Sequence, residues 1–252
     1  MASKNDTISK TFTVIILLCL VCSIIVSGAA VGLKDRQEAN AALAKQQNIL
    51  RTAGVDLGGR AADSVFAERV RLLTFNRETS EISEFDSLFD LEEALAQSSA
   101  KDGGERASAA GVRGLRRDIP VYVIRGDNGD SIDAYVIDIR GAGLWGMMYA
   151  FLAIDPDGQT IRGINFYDHS ETPGLGGEIQ NPRWRSNFEG KDAVDSDGQV
   201  AIRVRKSAGD NEVDALSGAT ITSDGVDRTL QFWLSQEAYG AFLARVREEG
   251  TI

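Results

Sequence analysis

The sequence predicts an α+β protein in which one membrane-spanning helix near the N-terminus precedes an antiparallel sheet with flanking helices. Residues 11–33 contain no charged side chain, and about 20 apolar residues are enough to cross a bilayer as a helix. Between residues 119 and 167, two pairs of strand-like segments are each joined by a turn rich in Gly, Asp and Asn. Hairpins with helical patterns on either side indicate an antiparallel α+β domain rather than a doubly wound sheet.

The composition is that of a folded protein with one or two domains. The chain has 252 residues, of which 43% are hydrophobic and 25% charged. Its net charge is -10, divided as +1 over residues 1–33 and -11 over the remainder. A soluble part this acidic argues against nucleic acid as a partner, because binding phosphates needs clustered Lys and Arg. Both cysteines, Cys19 and Cys22, lie in the apolar segment, so the rest of the chain has no disulfide and no thiolate metal site.

The apolar segment 11–33 is predicted to be an uncleaved membrane anchor. It is longer than the apolar core of a cleaved signal peptide, which has roughly 7–15 residues. The small residues at 27–30 keep a cleaved signal as a minor alternative. Basic residues lie on both sides, at Lys4 and Lys10 and at Lys34 and Arg36. The positive-inside rule therefore leaves the orientation open.

The chain is predicted to divide into four segments. They are the N-terminus 1–10, the membrane helix 11–33, a membrane-proximal helical region 34–118, and the sheet domain 119–252. In the third segment, the pattern predicts a polar helix continuing over 34–52 and a second helix over 62–73. The small, charged and Gly-rich residues 97–118 predict a loop or insertion.

Strands in the sheet domain are predicted from apolar, β-branched and aromatic runs bounded by turn residues. The predicted strands cover residues 120–124, 134–139, 149–154, 161–167 and 200–204. No Gly-x-Gly-x-x-Gly follows any of these strands, so nothing indicates a site for a nicotinamide dinucleotide.

The segment 213–223 combines a carboxylate, several hydroxyl side chains and a Gly-Ala pair just before an amphipathic pattern over 226–234. Small and hydroxyl residues before such a pattern are typical of a helix N-cap, which would account for Thr222, Ser223 and Asp224. The free N–H groups at the start of a helix also favour the binding of a phosphate. A cap and a phosphate site are both open interpretations of these residues.

Two further Gly-rich segments predict close approach of the backbone to a ligand. Residues 141–149 include Leu144 and Trp145, whose apolar surface suits either core packing or a planar ring. Residues 169–178 contain three glycines and a proline, which specify a shaped loop. His169 is the only histidine in the chain, and a lone His without partner ligands predicts a structural role rather than catalysis or metal binding.

Together, three motifs resemble the family of the C subunit of the bacterial sodium-translocating NADH:quinone oxidoreductase, a family with a covalent FMN-binding domain. They are Gly-Leu-Trp-x-x-Met-Tyr, His-x-Glu-Thr-Pro-Gly-Leu-Gly-Gly and Asp-x-x-Ser-Gly-Ala-Thr. The resemblance covers residues 119–247 and the N-terminal anchor, and it is weaker over 34–118. The G subunit of a related ion-translocating electron-transport complex has the second and third motifs, but it is shorter and lacks the first.

The resemblance implies FMN joined through a phosphoester to the hydroxyl of Thr220, installed from FAD by a magnesium-dependent flavin transferase. Asp214 would position or mark the motif, and Ser217 would shape the phosphate pocket. Thr172 would donate to a flavin carbonyl oxygen or to the phosphate, and Glu171 would accept hydrogen bonds from N–H groups. The implied cofactor-binding residues are Leu144, Trp145, Glu171, Thr172, Leu175, Gly176, Asp214, Ser217, Gly218, Ala219, Thr220 and Thr222. Neither a catalytic residue nor a metal site of the chain's own is implied.

The implied function is electron relay between membrane subunits of a sodium-exporting NADH:ubiquinone reductase. The chain would be anchored once in the bacterial inner membrane, with residues 1–10 cytoplasmic and its bulk in the periplasm. Three alternatives stay open at this point. They are a G-type subunit of the ferredoxin:NAD complex, a noncovalent flavin-binding module without electron transfer, and an adaptor in which Ser-Gly-Ala-Thr is only a helix cap.

Overall fold

The structure, a computed structural model, describes residues 8–101, 103–129 and 131–250. These residues divide into two compact units, the first ending at Ala44 and the second beginning at Lys45. Helix α1 (Ile8–Thr52) contributes to both units. Residues 1–7 of the predicted N-terminal segment lie outside the described residues.

The first part of α1 contains the predicted membrane segment. An 18-residue window of the helix has a mean hydropathy of 2.9, and none of that window is buried within the protein. Large apolar side chains such as Ile16 and Val26 are 61% and 67% exposed. The helix is long and apolar enough to cross a membrane. Beyond residue 33 it continues as a polar helix, as predicted, with Lys34 Nζ 3.6 Å from Glu38 Oε1 one turn later.

Most strands belong to one antiparallel sheet. The strands are β1 (Val70–Asn76), β2 (Ile82–Phe85), β3 (Ala100–Lys101), β4 (Leu115–Arg116), β5 (Asp118–Arg125), β6 (Ile132–Ala142), β7 (Met147–Ile154), β8 (Ile161–Asp168), β9 (Arg203–Arg205) and β10 (Glu212–Asp214). Six of them form a sheet in the order β2-β1-β5-β6-β7-β8, and every neighbouring pair is antiparallel. The predicted α+β class with an antiparallel sheet and flanking helices is confirmed, and the four predicted hairpin strands are β5 to β8.

The remaining helices are short and lie before and after the hairpin strands. They are α2 (Ala62–Arg69), α3 (Leu88–Gln97), α4 (Gly104–Ala109), α5 (Pro182–Arg185), α6 (Thr220–Trp233) and α7 (Gly240–Glu249). Two 3-10 turns, Gly176–Gln180 and Ser186–Phe188, flank α5.

The helix predicted over 62–73 is wrong over its last four residues. Helix α2 ends at Arg69, and β1 pairs with β5 along its whole length. Within β1, Leu73 packs into the core on one face of the sheet and Leu72 into the core on the other. Because both faces are covered, apolar residues do not alternate strictly with polar ones, and the short apolar run Leu72-Leu73 does not distinguish a strand from a helix.

The Gly-rich stretch 97–118 is also more ordered than a loop. Strands β3 and β4 pair with each other, and α4 lies between them in the chain. The side chains of Ala107, Val112 and Leu115 are at most 3% exposed and belong to the main core. The region 34–118 is therefore not simply helical, since it supplies two strands of the main sheet and part of the core.

The main sheet is covered on both faces. One face packs against α6 and α7, where Leu230 and Phe242 are completely buried. The other packs against α2, α3 and the last turns of α1, where Phe66, Leu91 and Leu50 are at most 4% exposed. Burying each such side chain stabilises the fold by about 1.5–3 kcal/mol, so the sheet is a rigid base for the loops at its ends.

A second, parallel pair of strands, β9 and β10, leads into α6. The strand predicted at 200–204 overlaps β9 only at its last two residues. The carboxylate of Asp227 in α6 accepts a hydrogen bond from Val204 N–H at 2.9 Å, and the guanidinium Nε of Arg203 lies 3.2 Å from the same oxygen. Asp227 is 7% exposed. These bonds fix the middle of α6 and thereby the position of its first turn.

Candidate cofactor site

Three segments meet at an open cleft at one end of the domain. They are the turn between β6 and β7, the loop after β8, and the first turn of α6. The cleft has a volume of about 370 Å³. It is lined by Leu144, Trp145, Glu171, Thr172, Leu175, Gly176, Gly218, Ala219, Thr220, Ile221 and Thr222. The structure thus brings together ten of the twelve residues predicted for the cofactor, although they are up to 78 positions apart in the sequence.

The β6–β7 turn presents an apolar surface at its tip. It closes with a hydrogen bond of 2.8 Å from Gly143 N–H to the carbonyl of Gly146. Leu144 and Trp145 are 47% and 68% exposed, so they are not core residues. Of the two interpretations of these side chains, packing in the core is therefore excluded, and an apolar wall for a ligand remains.

Glu171 joins the three segments. Its Oε1 accepts a hydrogen bond from the backbone N–H of Trp145 at 2.9 Å, and its Oε2 accepts one from the hydroxyl of Thr222. The side chain is 4% exposed. A Cβ on Gly143 would lie 2.9 Å from the carboxyl carbon of Glu171, and a Cβ on Gly176 would lie 2.7 Å from its Oε2. Glycine at both positions leaves room for a carboxylate between the loops.

The loop after β8 is held by its own backbone. The N–H groups of Leu175 and Gly177 both donate to the carbonyl of Thr172, at 3.1 and 2.9 Å. Between Thr172 and Leu175, Gly174 has a φ of 75°, which favours glycine. His169 Nδ1 accepts a hydrogen bond from Glu171 N–H at 3.0 Å. The lone histidine therefore has a bonding partner in the protein.

The hydroxyl groups near the start of α6 fall into two kinds. Thr222 and Ser223 are each 1% exposed; Thr222 donates to Glu171, and Ser223 Oγ accepts from Leu216 N–H at 2.9 Å and donates to the carbonyl of Ala219 at 3.0 Å. Ser217 and Thr220 are exposed, and within the described part of the chain their hydroxyls form no hydrogen bond. Thr220 alone of these four is both exposed and in the wall of the cleft.

The predicted N-cap is wrong in its details. Helix α6 begins at Thr220, and its N-cap residue is Ala219, which offers no side-chain oxygen. Thr222, Ser223 and Asp224 lie within the first turns of the helix instead. An N-cap without a capping side chain leaves the first N–H groups of the helix available for another acceptor.

Two predicted residues do not line the cleft. The Asp214 side chain is exposed and accepts a hydrogen bond from Ala208 N–H at 3.0 Å, while its carbonyl accepts one from Trp184 Nε1 at 2.7 Å. Ser217 lies beside Gly218, whose φ of 76° turns the chain toward the helix. Conversely, Ile221 lines the cleft with 54% of its surface exposed and is absent from the predicted set. Its position directly after Thr220, at the start of a helix, is the signal that could have found it.

The chemistry of the cleft is that of a binding site. Apolar side chains form its walls, and the start of a helix with one free hydroxyl lies at its edge. Among the described residues, no group of three or more His, Cys, Asp or Glu side chains could hold a metal ion. The arrangement suits a ligand with a planar apolar part and an anionic part, held by stacking and by the helix N-terminus.

Comparison with known proteins agrees with this geometry. Residues 143–235 match the model of the FMN-binding domain family, a range that contains the whole lining of the cleft. The chain is 46% identical to the C subunit of the Na(+)-translocating NADH-quinone reductase of Yersinia pestis, over 97% of this chain and 95% of that protein. It is 44% identical to the protein of the same name from Vibrio alginolyticus, over 98% of both chains.

Solved structures show the same likeness. The crystal structure of Shewanella oneidensis NqrC superposes with a TM-score of 0.73 at 31% identity, covering 81% of this chain and 96% of that one. The C subunit of the Na(+)-translocating NADH-quinone reductase from Parabacteroides distasonis superposes with a TM-score of 0.62 at 30% identity, covering 84% of this chain and 96% of that one.

Proposed function

Because the chain belongs to the family of C subunits of the Na(+)-translocating NADH-quinone reductases, we propose that it carries covalent FMN and relays electrons within such a complex. Membership in that family, together with the FMN-binding domain, makes the chain a flavoprotein subunit of an oxidoreductase complex. Both curated relatives described above are C subunits and match over nearly their full length, which favours this assignment over a G-type subunit.

The observation that supports covalent attachment is that the Thr220 hydroxyl is exposed and forms no hydrogen bond within the described residues. The hydroxyls of Thr222 and Ser223 are buried and bonded within the protein, and Ser217 lies outside the cleft. Only Thr220 offers an uncommitted hydroxyl among the described residues of the cleft wall at the start of the helix. A phosphate on this oxygen would lie beside the free N–H groups of the first turn, where anions are favoured.

The residues present fit an isoalloxazine ring. Leu144, Trp145, Leu175 and Ile221 supply exposed apolar surface around the cleft. Thr172 is exposed in the same wall and can donate to a ring carbonyl. Glu171 accepts hydrogen bonds at both oxygens from within the protein, one from a backbone N–H as expected and one from a hydroxyl. When bound, FMN supplies the redox chemistry, while the protein sets its position, its exposure and its potential.

Attachment requires a second protein in this proposal. The oxygen of Thr220 would displace AMP from FAD, forming a phosphoester with the FMN moiety while the P–O bond to AMP breaks. A magnesium-dependent flavin transferase would bind the two substrates. Asp214 precedes the attachment residue by six positions in the chain, lies outside the cleft and is exposed, so we assign it to recognition of the motif by the transferase rather than to contact with FMN.

The membrane anchor explains why a covalent link is useful. With the second unit in the periplasm and α1 crossing the inner membrane once, a dissociated flavin would diffuse away, whereas a phosphoester removes the dissociation route. Electrons would enter and leave through the exposed side of the cleft, by contact with other membrane subunits. The chain needs no acid–base residue for this step and no complete active site of its own.

Intact-mass measurement of denatured protein tests the attachment. The protein is made in a host with a working flavin transferase, and the peptide containing Thr220 is mapped after trypsin digestion. We expect a mass increment of one FMN on that peptide in the wild type and in Ser217→Ala, and none in Thr220→Ala. An unmodified peptide in the wild type, or an adduct retained by Thr220→Ala, would refute the assignment. Yellow colour that is lost on denaturation would instead indicate a noncovalent flavin module.

A further inference from the structure

A second cavity lies on the face of the main sheet that is covered by α3 and the end of α1. Its volume is about 380 Å³, close to that of the cofactor cleft, and the two cavities share no lining residue. Leu95, Ile119 and Pro120 form apolar parts of its wall, and the rings of Tyr149 and Tyr167 form an aromatic part. A volume in this range, with a wall that combines apolar and aromatic side chains with polar groups, is typical of small-molecule sites.

Several charged groups at this cavity already have partners in the protein. Lys45 Nζ lies 2.8 Å from Glu92 Oε1, which pairs one cation with one anion. The Asp118 carboxylate accepts hydrogen bonds from Asn76 Nδ2 at 2.8 Å and from Ser98 Oγ at 2.6 Å. These groups hold α1, α3 and β5 in place and are not available to a ligand.

The remaining polar groups are mostly donors. Within the described residues, the side chains of Arg116, Arg140 and Tyr149 form no hydrogen bond or ion pair. Arg116 is exposed at the rim, whereas Arg140 is half-buried on the sheet itself. The acceptor that lines the cavity with them is Asp138, which accepts a hydrogen bond of 3.2 Å from the hydroxyl of Tyr167. Besides the paired groups Lys45, Glu92 and Asp118, the cavity thus contains two guanidinium groups and one further carboxylate, that of Asp138. A ligand that completes the hydrogen bonding of the two guanidinium groups must bring acceptors.

From this juxtaposition we propose that the second cavity binds a small planar aromatic anion, an aryl carboxylate or phenolate. The oxyanion would accept paired hydrogen bonds from Arg140, whose planar fork matches a carboxylate. The ring would pack against Tyr149, Tyr167 and the apolar wall. The site is independent of the proposed FMN site, since it lies elsewhere in the domain and uses none of its residues.

Calorimetric titration with 2-naphthoate and its neutral analogue 2-naphthamide tests the proposal. The protein is the full chain, flavin-loaded and in detergent, with a titration into detergent alone as the blank. We expect saturable binding of naphthoate at one site and binding of the amide weaker by at least about tenfold, because a hydrogen bond to a charged group is worth more than one to a neutral group. Thr220→Ala protein should bind naphthoate as the wild type does.

Variants of Arg140 distinguish recognition of the anionic group from simple hydrophobic binding. Arg140→Gln should weaken naphthoate binding by about tenfold or more and leave naphthamide unchanged, and Arg140→Lys should recover part of the loss. Arg113→Gln is the matched control, because Arg113 is exposed and does not line the cavity. If Arg140→Gln fails to fold, Arg140→Lys alone must still weaken naphthoate more than naphthamide. Equal binding of the two probes, equal binding by wild type and variants, or no saturable binding would overturn the proposal.

Discussion

Replacing Glu171 should damage the candidate site in a way that depends on which replacement is made. The carboxylate is 4% exposed and accepts hydrogen bonds from Trp145 N–H and from the Thr222 hydroxyl, so it connects the β6–β7 turn, the following loop and helix α6. Glu171→Ala removes both acceptors at once. Glu171→Gln keeps one oxygen for Trp145 N–H and turns an amide donor toward the oxygen of Thr222.

The magnitudes follow from the two partners. Each buried donor left without an acceptor costs about 1–3 kcal/mol, so Glu171→Ala should lower the free energy of unfolding by about 2–6 kcal/mol. Glu171→Gln trades a charged hydrogen bond for a neutral one at each partner, and a neutral bond is roughly half as strong. Its expected cost is therefore smaller, about 1–2 kcal/mol.

Urea unfolding of the two variants, followed by fluorescence, measures these differences, and the fraction of protein carrying flavin reports on the cleft. We expect the order wild type, Glu171→Gln, Glu171→Ala in both stability and flavin loading. Glu248→Ala is the control, since Glu248 is exposed in α7 and forms no hydrogen bond among the described residues. If Glu171→Ala is as stable as Glu248→Ala, the carboxylate does not hold the three segments together and the reasoning fails.

Two further perturbations test how the site and the sheet are supported. A Cβ on Gly225 would press against the carbonyl of Ala142 and lie 3.3 Å from Gly143 Cα, so Gly225→Ala should destabilise the protein by about 1–3 kcal/mol in urea unfolding. Gly209→Ala is the control, because a Cβ there would contact only Glu212, at 3.5 Å, and it should change the free energy of unfolding by less than about 0.5 kcal/mol. Equal effects of the two substitutions would contradict this account of α6 packing. Burial raises the pKa of Asp138 from 3.8 to about 6, despite the opposing effects of Lys45 and Arg140. The stabilising contribution of the protonated form is present below about pH 4 and is lost as the pH rises through about 6. Asp138→Asn should therefore flatten the fall in unfolding free energy over that range. An unchanged pH profile would show that Asp138 does not cause the fall.

Local sequence signals predict those parts of the fold that local interactions determine. Strands β5 to β8 have compact β-branched and aromatic runs with turn residues between them, and hairpin pairing follows from that pattern. Glycine, proline and small hydroxyl residues mark the segments where the backbone takes a special shape, whereas the set of cofactor residues follows from the resemblance of three motifs to a known family. For Leu144 and Trp145 the sequence leaves two interpretations, since only the structure shows that they are exposed rather than in the core.

The errors come from contacts between distant parts of the chain. Strand β1 reads as a helix in the sequence because its pairing with β5 is not visible in its own residues. The bond between Glu171 and Thr222 is not among the predictions because the two residues lie 51 positions apart, and a free carboxylate and a bridging one look the same in the sequence. The exclusion of Asp214 from the cleft, by contrast, accompanies a short-range bond from Ala208, six positions earlier, which only the folded chain reveals.

The selection of one hydroxyl at the start of α6 is a consequence of helix geometry. Successive side chains of a helix point about 100° apart, so residues in one turn face different surroundings. Thr222 and Ser223 are bonded to groups of the protein, whereas Thr220 and Ile221 are exposed in the wall of the cleft. Rotation of α6 about its own axis would exchange the buried and exposed positions. The contacts that fix this rotation are those of Gly225 and Asp227, which do not line the cleft. The exposure of the proposed attachment residue is therefore determined by packing in the middle of the helix, and substitutions there should alter attachment without touching the cleft.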